Sequence, residues 1–188
     1  MGIVPLKSRF RVLLLATLLG WGLSGCAAQV SDYAGENPKL DLREFFNGPV
    51  HAWGMVQDRS GKVVRRFEVD MVGHWEGDLG VLEEDFTFND GETQRRVWTF
   101  RRLDEHRYSG TADDVVGEAS GEIYGNALRW RYVLALEVDG RTWHINFDDW
   151  MYLLDERTLF NRTVMKKFGF RVGEVTLFFR KPGDAGEV

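Results

Sequence analysis

Cysteine is almost missing from this chain: Cys26 is the one example in 188 residues. No disulfide can form within it, so the core must hold the fold unaided. Histidine is scarce too. His51, His74, His106 and His144 stand apart, without the close spacing of a metal-ligating set. His144 and Asp148 would share one face of a strand but lie about 13 Å apart by the usual rise. No metal and no cofactor is expected. No serine sits in a Gly-x-Ser-x-Gly elbow. Positive charge is in deficit, with 24 Lys and Arg against 29 Asp and Glu. An acidic chain suits a polyanion poorly, so nucleic acid is not an expected partner. Internal repeats and low-complexity tracts are lacking, and no helical period continues past Val50.

What is present begins with the leader. Lys7, Arg9 and Arg11 precede an apolar run from Val12 to Leu23. That run has the length of a signal-peptide core and is too short to span a bilayer as a helix. Leu23-Ser24-Gly25-Cys26 follows, and it is the lipobox pattern of bacterial lipoproteins. Cleavage after Gly25 would leave Cys26 as the lipidated first residue, anchored to a membrane by two or three acyl chains. Ala27, rather than Asp, follows the cysteine. In Gram-negative sorting this pattern goes with release to the outer membrane, so a lipid-anchored position on its periplasmic face is expected. Removing residues 1–25 leaves 163 residues, one domain's worth, and takes the net charge from −5 to −8. Residues 26–39 are small and polar and read as the lipidated cysteine and a flexible tether.

Pro38 to Asn47 is the one helical candidate. Asp41 can cap it, with Glu44 three residues on, and Gly48-Pro49 ends it. Beyond it the pattern is alternation. Val63, Arg65, Phe67, Val69 and Met71 share one parity; Arg66, Glu68 and Asp70 share the other. Leu82, Phe86 and Phe88 oppose Glu83, Asp85 and Thr87. Leu128, Trp130, Tyr132, Leu134, Leu136 and Val138 oppose Arg129, Arg131 and Glu137. A period of two predicts half-buried antiparallel strands. Turn signals at Asp58–Gly61, Asn89-Asp90-Gly91, Gly125-Asn126 and Asp139-Gly140 separate them. About eight to ten strands in an up-and-down meander favour closure into an all-β barrel, which removes exposed edges. A two-sheet sandwich is the alternative. The barrel domain is expected over 40–181, with a disordered tail over 182–188.

Four C-terminal stretches, Phe147-Asp148-Asp149-Trp150-Met151-Tyr152, Asn161-Arg162, Lys167-Phe168-Gly169-Phe170 and Gly173 to Phe179, join Phe45-Phe46-Asn47-Gly48 in a resemblance. Together they resemble the bacterial lipoprotein family called domain of unknown function 3833, over roughly Leu40 to Lys181. The resemblance implies a lipocalin-like barrel and a place in the cell envelope. It transfers no catalytic residue.

Candidate chemistry rests on Asp148 and Asp149, which alternation sends to opposite faces. One must point inward, where a carboxylate has to be paired or protonated. It is either an acid/base or head-group anchor, or half of a structural ion pair with Arg96, Arg102, Arg129 or Arg162. Arg65, Glu84 and Arg96 share parity with apolar neighbours. With Trp98, Trp130, Trp150 and Arg162 they are candidates to line a lumen. Arginine there would hold a carboxylate or phosphate and the rings its tail, unless the arginines snorkel to water.

Three functions stay open. The barrel holds a fatty acid or similar amphiphile; or it is an enzyme on a lipid-like substrate, with an inward Asp as acid or base; or it is a non-catalytic envelope structural or assembly factor. The anchor is testable first. Cys26→Ser removes the thiolate that accepts diacylglycerol, so palmitate labelling should mark the wild type and not the variant, which should accumulate as precursor. Equal labelling of both would sink the lipoprotein reading.

Overall fold

A computed structural model describes residues 27–138 and 140–183. The expected signal peptide, Cys26, Asp139 and residues 184–188 of the expected tail lie outside the described residues. Ten strands form: β1 (Gly48–Asp58), β2 (Val63–Glu76), β3 (Leu79–Phe88), β4 (Thr93–Arg102), β5 (Arg107–Thr111), β6 (Ala119–Tyr124), β7 (Ala127–Val138), β8 (Arg141–Asp155), β9 (Thr158–Lys167) and β10 (Phe170–Arg180). Each pairs antiparallel with the next, and β10 returns to pair with β1 from His51↔Arg180 to Asp58↔Gly173, closing the barrel.

Local chemistry makes the hairpins. At the β1–β2 turn the Asp58 carboxylate accepts from the Ser60 and Lys62 amides, and Gly61 takes φ +87°. At β3–β4 the Asp90 carboxylate accepts from the Glu92 amide, and Gly91 repeats the angle. Both glycines sit where a side chain would strain the backbone. The alternation then sends Phe67, Val69 and Met71 of β2 inward, and they are buried. Glu68, Asp70 and Val72, one residue out of phase, are exposed.

One end of the barrel is plugged. A single helical turn, α1 (Leu42–Phe45), buries Leu42, Phe45 and the following Phe46. Asp41 caps it, but through the Arg43 amide at 2.8 Å rather than through a box with Glu44. The helix is far shorter than Pro38–Asn47, because the chain enters β1 at Gly48 once those apolar side chains are seated. Lys181, just past β10, donates through Nζ to the carbonyls of Glu44, Phe45 and Asn47 at 2.8–3.0 Å. A cation thus satisfies carbonyls at the helix C-terminus and fastens the plug to the last strand.

The stretch expected as a tether is docked from Val30 onward. Val30–Tyr33 is a 3-10 turn with Val30 buried. The Tyr33 ring lies 6.1 Å from Trp150 and 5.4 Å from Tyr152 on the outer wall. The Leu40 amide donates to the Gly125 carbonyl. Two apolar residues among polar ones are too few to register as composition, yet they are enough to dock a short segment against a wall built to receive them. The ten strands of the closed barrel and the described core residues all lie between Ala27 and Gly183.

The plug depends on close approach. A Cβ at Gly73 of β2 would stand 1.7 Å from the Phe46 carbonyl oxygen, a backbone atom. Gly73→Ala should therefore cost about 1–3 kcal/mol or more by overpacking. Gly35→Ala, which meets nothing within 4 Å, should stay within about 0.5 kcal/mol. Urea unfolding of the two variants checks both.

Candidate functional site: the barrel lumen

Ten strands of this length enclose more space than α1 fills. A cavity of about 650 Å³ runs up the lumen from a floor of Leu42, Phe46 and Phe179. Its mouth lies at the end opposite the plug, where Val64 and Val138 are about half exposed. The walls are mainly apolar and aromatic, among them Phe67, Phe86, Trp98, Phe100, Trp130 and Phe147. Trp98 packs edge-to-face on both Trp130 and Tyr132, at 5.9 and 5.4 Å. Room for the Trp130 ring comes from β6, where a Cβ at Gly121 would lie 2.3 Å from it.

Five of the seven residues expected to line a lumen do so: Arg65, Glu84, Arg96, Trp98 and Trp130. Trp150 and Arg162 do not. Trp150 is on the outer wall, with Arg129 5.2 Å from its ring, and Arg162 reaches outward to Glu174 at 2.8 Å. Alternation is the reason. Asp149 and Met151 flank Trp150 and face in, as do Asn161 and Thr163 on either side of Arg162. The odd and even positions of those strands therefore sort oppositely from an aromatic-means-inside reading.

The two aspartates separate as strand geometry requires, and the ion pair weighed for the inward one belongs to the outward one instead. Asp148 is the outward one, and it forms the ion pair, bidentate to Arg129 at 2.7 Å through both oxygens. Those hydrogen bonds hold its carboxyl below the usual range, against a partial opposing effect of burial. Asp149 is buried and faces the lumen. Burial pushes its carboxyl up to about 7, although the hydroxyls of Thr163 and Tyr132 favour its charged form. Its Oδ1 has no hydrogen-bond partner among the described residues. Burial, and next the charge of Asp149, push the Tyr132 phenol well up in turn.

Across the lumen a second polar group is built on β3 and β4. Arg96 is bidentate to Asp114, with Nε–Oδ2 at 2.9 Å and Nη2–Oδ2 at 2.7 Å. Asp114 arrives on the β5–β6 loop. Those two strands are short, and the loop covers the wall above them by pairing Val115 with Leu134 of β7. Glu84, opposite Arg96 in the ladder, lies 3.6 Å from its Nη1. Burial raises the Glu84 carboxyl to about 7; Arg96 opposes that rise and Asp114 adds to it. Glu84 Oε2 is also without a hydrogen-bond partner among the described residues. Asp114 carried no signal in the sequence, since loop position hides what an acid reaches.

Both lumen arginines are thus already engaged. Arg96 has Asp114, and Arg65, near the mouth, has Asp90 and Glu92 while lying 3.5 Å over the Phe88 ring. Asp149 and Glu84 can hold or release a proton near neutrality in an apolar chamber, and each has an oxygen without a hydrogen-bond partner among the described residues. Among the described residues no group of three His, Cys, Asp or Glu is arranged to hold a metal ion, and no helix is long and apolar enough to cross a membrane.

Comparison with known proteins agrees with this architecture. A family model described as "Protein of unknown function (DUF3833)" matches residues 21–181. No curated protein matches the sequence. Among solved structures, the S-type phycobiliprotein lyase CPES from Guillardia theta superposes with a TM-score of 0.55 at 7% identity, over 84% of this chain and 100% of that one. EF1p2_mFAP2b bound to DFHBI superposes with a TM-score of 0.40 at 8% identity, over 74% and 98% of the two chains. The first shares the barrel fold with this chain.

The Asp149 carboxyl makes stability depend on pH. Its pKa lies near 3.8 as a free acid and about 7 when folded, so the native state keeps a proton that the unfolded state gives up. That contribution is fully present below about pH 4 and is lost as pH rises towards 7. Asp149→Asn removes the titration and leaves Glu84, Arg96, Tyr132 and Asp148 in place. Between about pH 5 and 7 the wild type should lose stability relative to the variant, by at most about 1.4 kcal/mol per pH unit. Urea midpoints measured across that range check the slope, and parallel curves would place Asp149 outside the titration.

Proposed function

The chain belongs to the DUF3833 family, and we propose that its barrel holds the apolar tail of a single-chain amphiphile. The observation that carries this reading is the lumen. Its 650 Å³ falls within the roughly 300–1,000 Å³ of small-molecule sites, and it combines apolar walls with a few convergent polar groups as such sites do. A barrel whose role was purely structural would gain stability by filling that space with side chains. The half-exposed Val64 and Val138 at the mouth give an acyl chain an apolar entrance.

The proposal extends to place. With Cys26 lipidated, the protein sits at the periplasmic face of the outer membrane. Val30 is docked only four residues later, so the leash spans at most about 14 Å. The flank around β6 and β7, where that turn lies, would stay close to the bilayer.

A second reading rests on Asp149. A buried carboxyl that titrates near 7 beside a phenol has the properties of a general acid or base, and a bound lipid would lie within its reach. In that case the barrel would convert its occupant rather than only hold it.

Native mass spectrometry of residues 27–188 should show a co-purified lipid adduct. Val56→Trp fills the upper lumen from β1, where Val56 is part of the lining. It should remove the adduct and weaken binding of an environment-sensitive acyl dye at least about tenfold, with circular dichroism unchanged. Bare wild-type protein that also fails to bind the dye would refute the lumen reading. Processing of the bound lipid, lost in Asp149→Asn, would select the enzyme.

A further inference from the structure

Resting on the reading that the lumen takes an amphiphile, we propose that the head group it selects is a hydrogen-bond donor without negative charge, a hydroxyl or an amine, and not a carboxylate. Glu84 Oε2 and Asp149 Oδ1 both sit in the cavity wall, both are buried from water, and neither has a hydrogen-bond partner among the described residues. An unpaired buried acceptor costs about 1–3 kcal/mol. A ligand that donates to it recovers that energy, and a ligand that brings a third carboxylate does not.

The two acids share a set of neighbouring groups. Tyr132 of β7 is a partner of Asp149 and feels the charge of Glu84. Arg96 of β4 acts on both carboxyls. Asp114 from the β5–β6 loop adds negative charge on the Glu84 side, and Asp148 does so through the wall beside Asp149. With both acids ionised, Arg96 is one cation beside three acids, Glu84 and Asp149 in the lining and Asp114 behind it. A carboxylate head group would enter a chamber already in excess of negative charge.

Arginine offsets this only in part. The guanidinium of Arg96 spends Nε and Nη2 on Asp114, and its Nη1 lies 3.6 Å from Glu84 Oε2. Arg65 keeps an unpartnered Nε, but it stands near the mouth with Asp90 and Glu92 bound to its other end, so the local balance there is also negative. A hydroxyl or ammonium that reaches Asp149 Oδ1 or Glu84 Oε2 gains an acceptor while its chain lies against Trp98, Phe67 and Phe147. Near neutral pH a hydroxyl suits every protonation state of the pair, because it can donate to a carboxylate and accept from a carboxyl.

Four probes of equal chain length test this on residues 27–188: decanol, decylamine, decanoate and decane, each displacing an acyl dye at about pH 8. Decanol or decylamine should bind at least about tenfold tighter than decanoate and tighter than decane, the order of a single recovered buried hydrogen bond. In Asp149→Asn and in Glu84→Gln, decylamine should lose its advantage and decanoate should gain. Decanoate binding as well as or better than decanol to the wild type overturns the inference, and so does equal binding of all four. The wild-type ranking stands even if one variant fails to fold. Failure of all four to displace the dye is a different result: it removes the amphiphile reading itself, and the head-group inference with it.

Discussion

Pairing of β10 with β1 is the constraint on which everything else depends. Each strand before it needs only the next hairpin, but a ten-strand meander left open would present two unpaired edges. The closing ladder joins residues more than a hundred positions apart, from His51↔Arg180 to Asp58↔Gly173. It forms beside the plug, and Lys181 extends it by reaching the carbonyls at the end of α1. Closure, floor and first strand are therefore fixed together. With both ends of the sheet joined, inward side chains face one another around a ring and the lumen is defined.

Ring size then decides what that lumen is. Side chains of ten strands reach towards the axis but do not meet along its whole length. Near α1 the space is filled by Leu42, Phe46, Leu128 and Phe179. Farther up it is not, and an apolar chamber with a polar waist results. The waist is costly to keep. Two carboxyls are held out of water with their pKa values raised to about 7, and each retains an oxygen without a hydrogen-bond partner among the described residues. Such a cost in the middle of an otherwise apolar wall is how a site for a polar head group differs from a solid core. Arg129–Asp148, by contrast, neutralises its charges on the outer wall and leaves the lumen untouched.

The docked segment before α1 changes how the molecule would sit. A free tether of a dozen residues would let the barrel range over tens of ångströms. Seating Val30 and Tyr33 on the wall, under the close approach permitted at Gly125, removes most of that freedom. Were Cys26 lipidated, orientation relative to that anchor would be a property of the fold rather than of a linker.

Alternation alone determined the strand layout. The parity of Phe67, Val69 and Met71, the Asp-Gly turns and the count of strands were legible because a half-buried strand writes its two faces into every second residue. The same rule told Asp148 from Asp149 as outward and inward partners, without saying which was which. Family motifs around Phe147–Tyr152 pointed to the barrel family. The tertiary structure decided the rest, for reasons local patterns do not encode. Trp150 and Arg162 went outward because their strands entered the barrel in the opposite phase to that suggested by one aromatic ring or one cation. Asp114 became the partner of Arg96 because a loop crosses a gap above two short strands. Arg129 took Asp148 because β7 and β8 set them on the same outer face. Which carboxyl was left unpaired in the lumen depended on all of these at once, since burial and partnership belong to the closed barrel and not to any one strand.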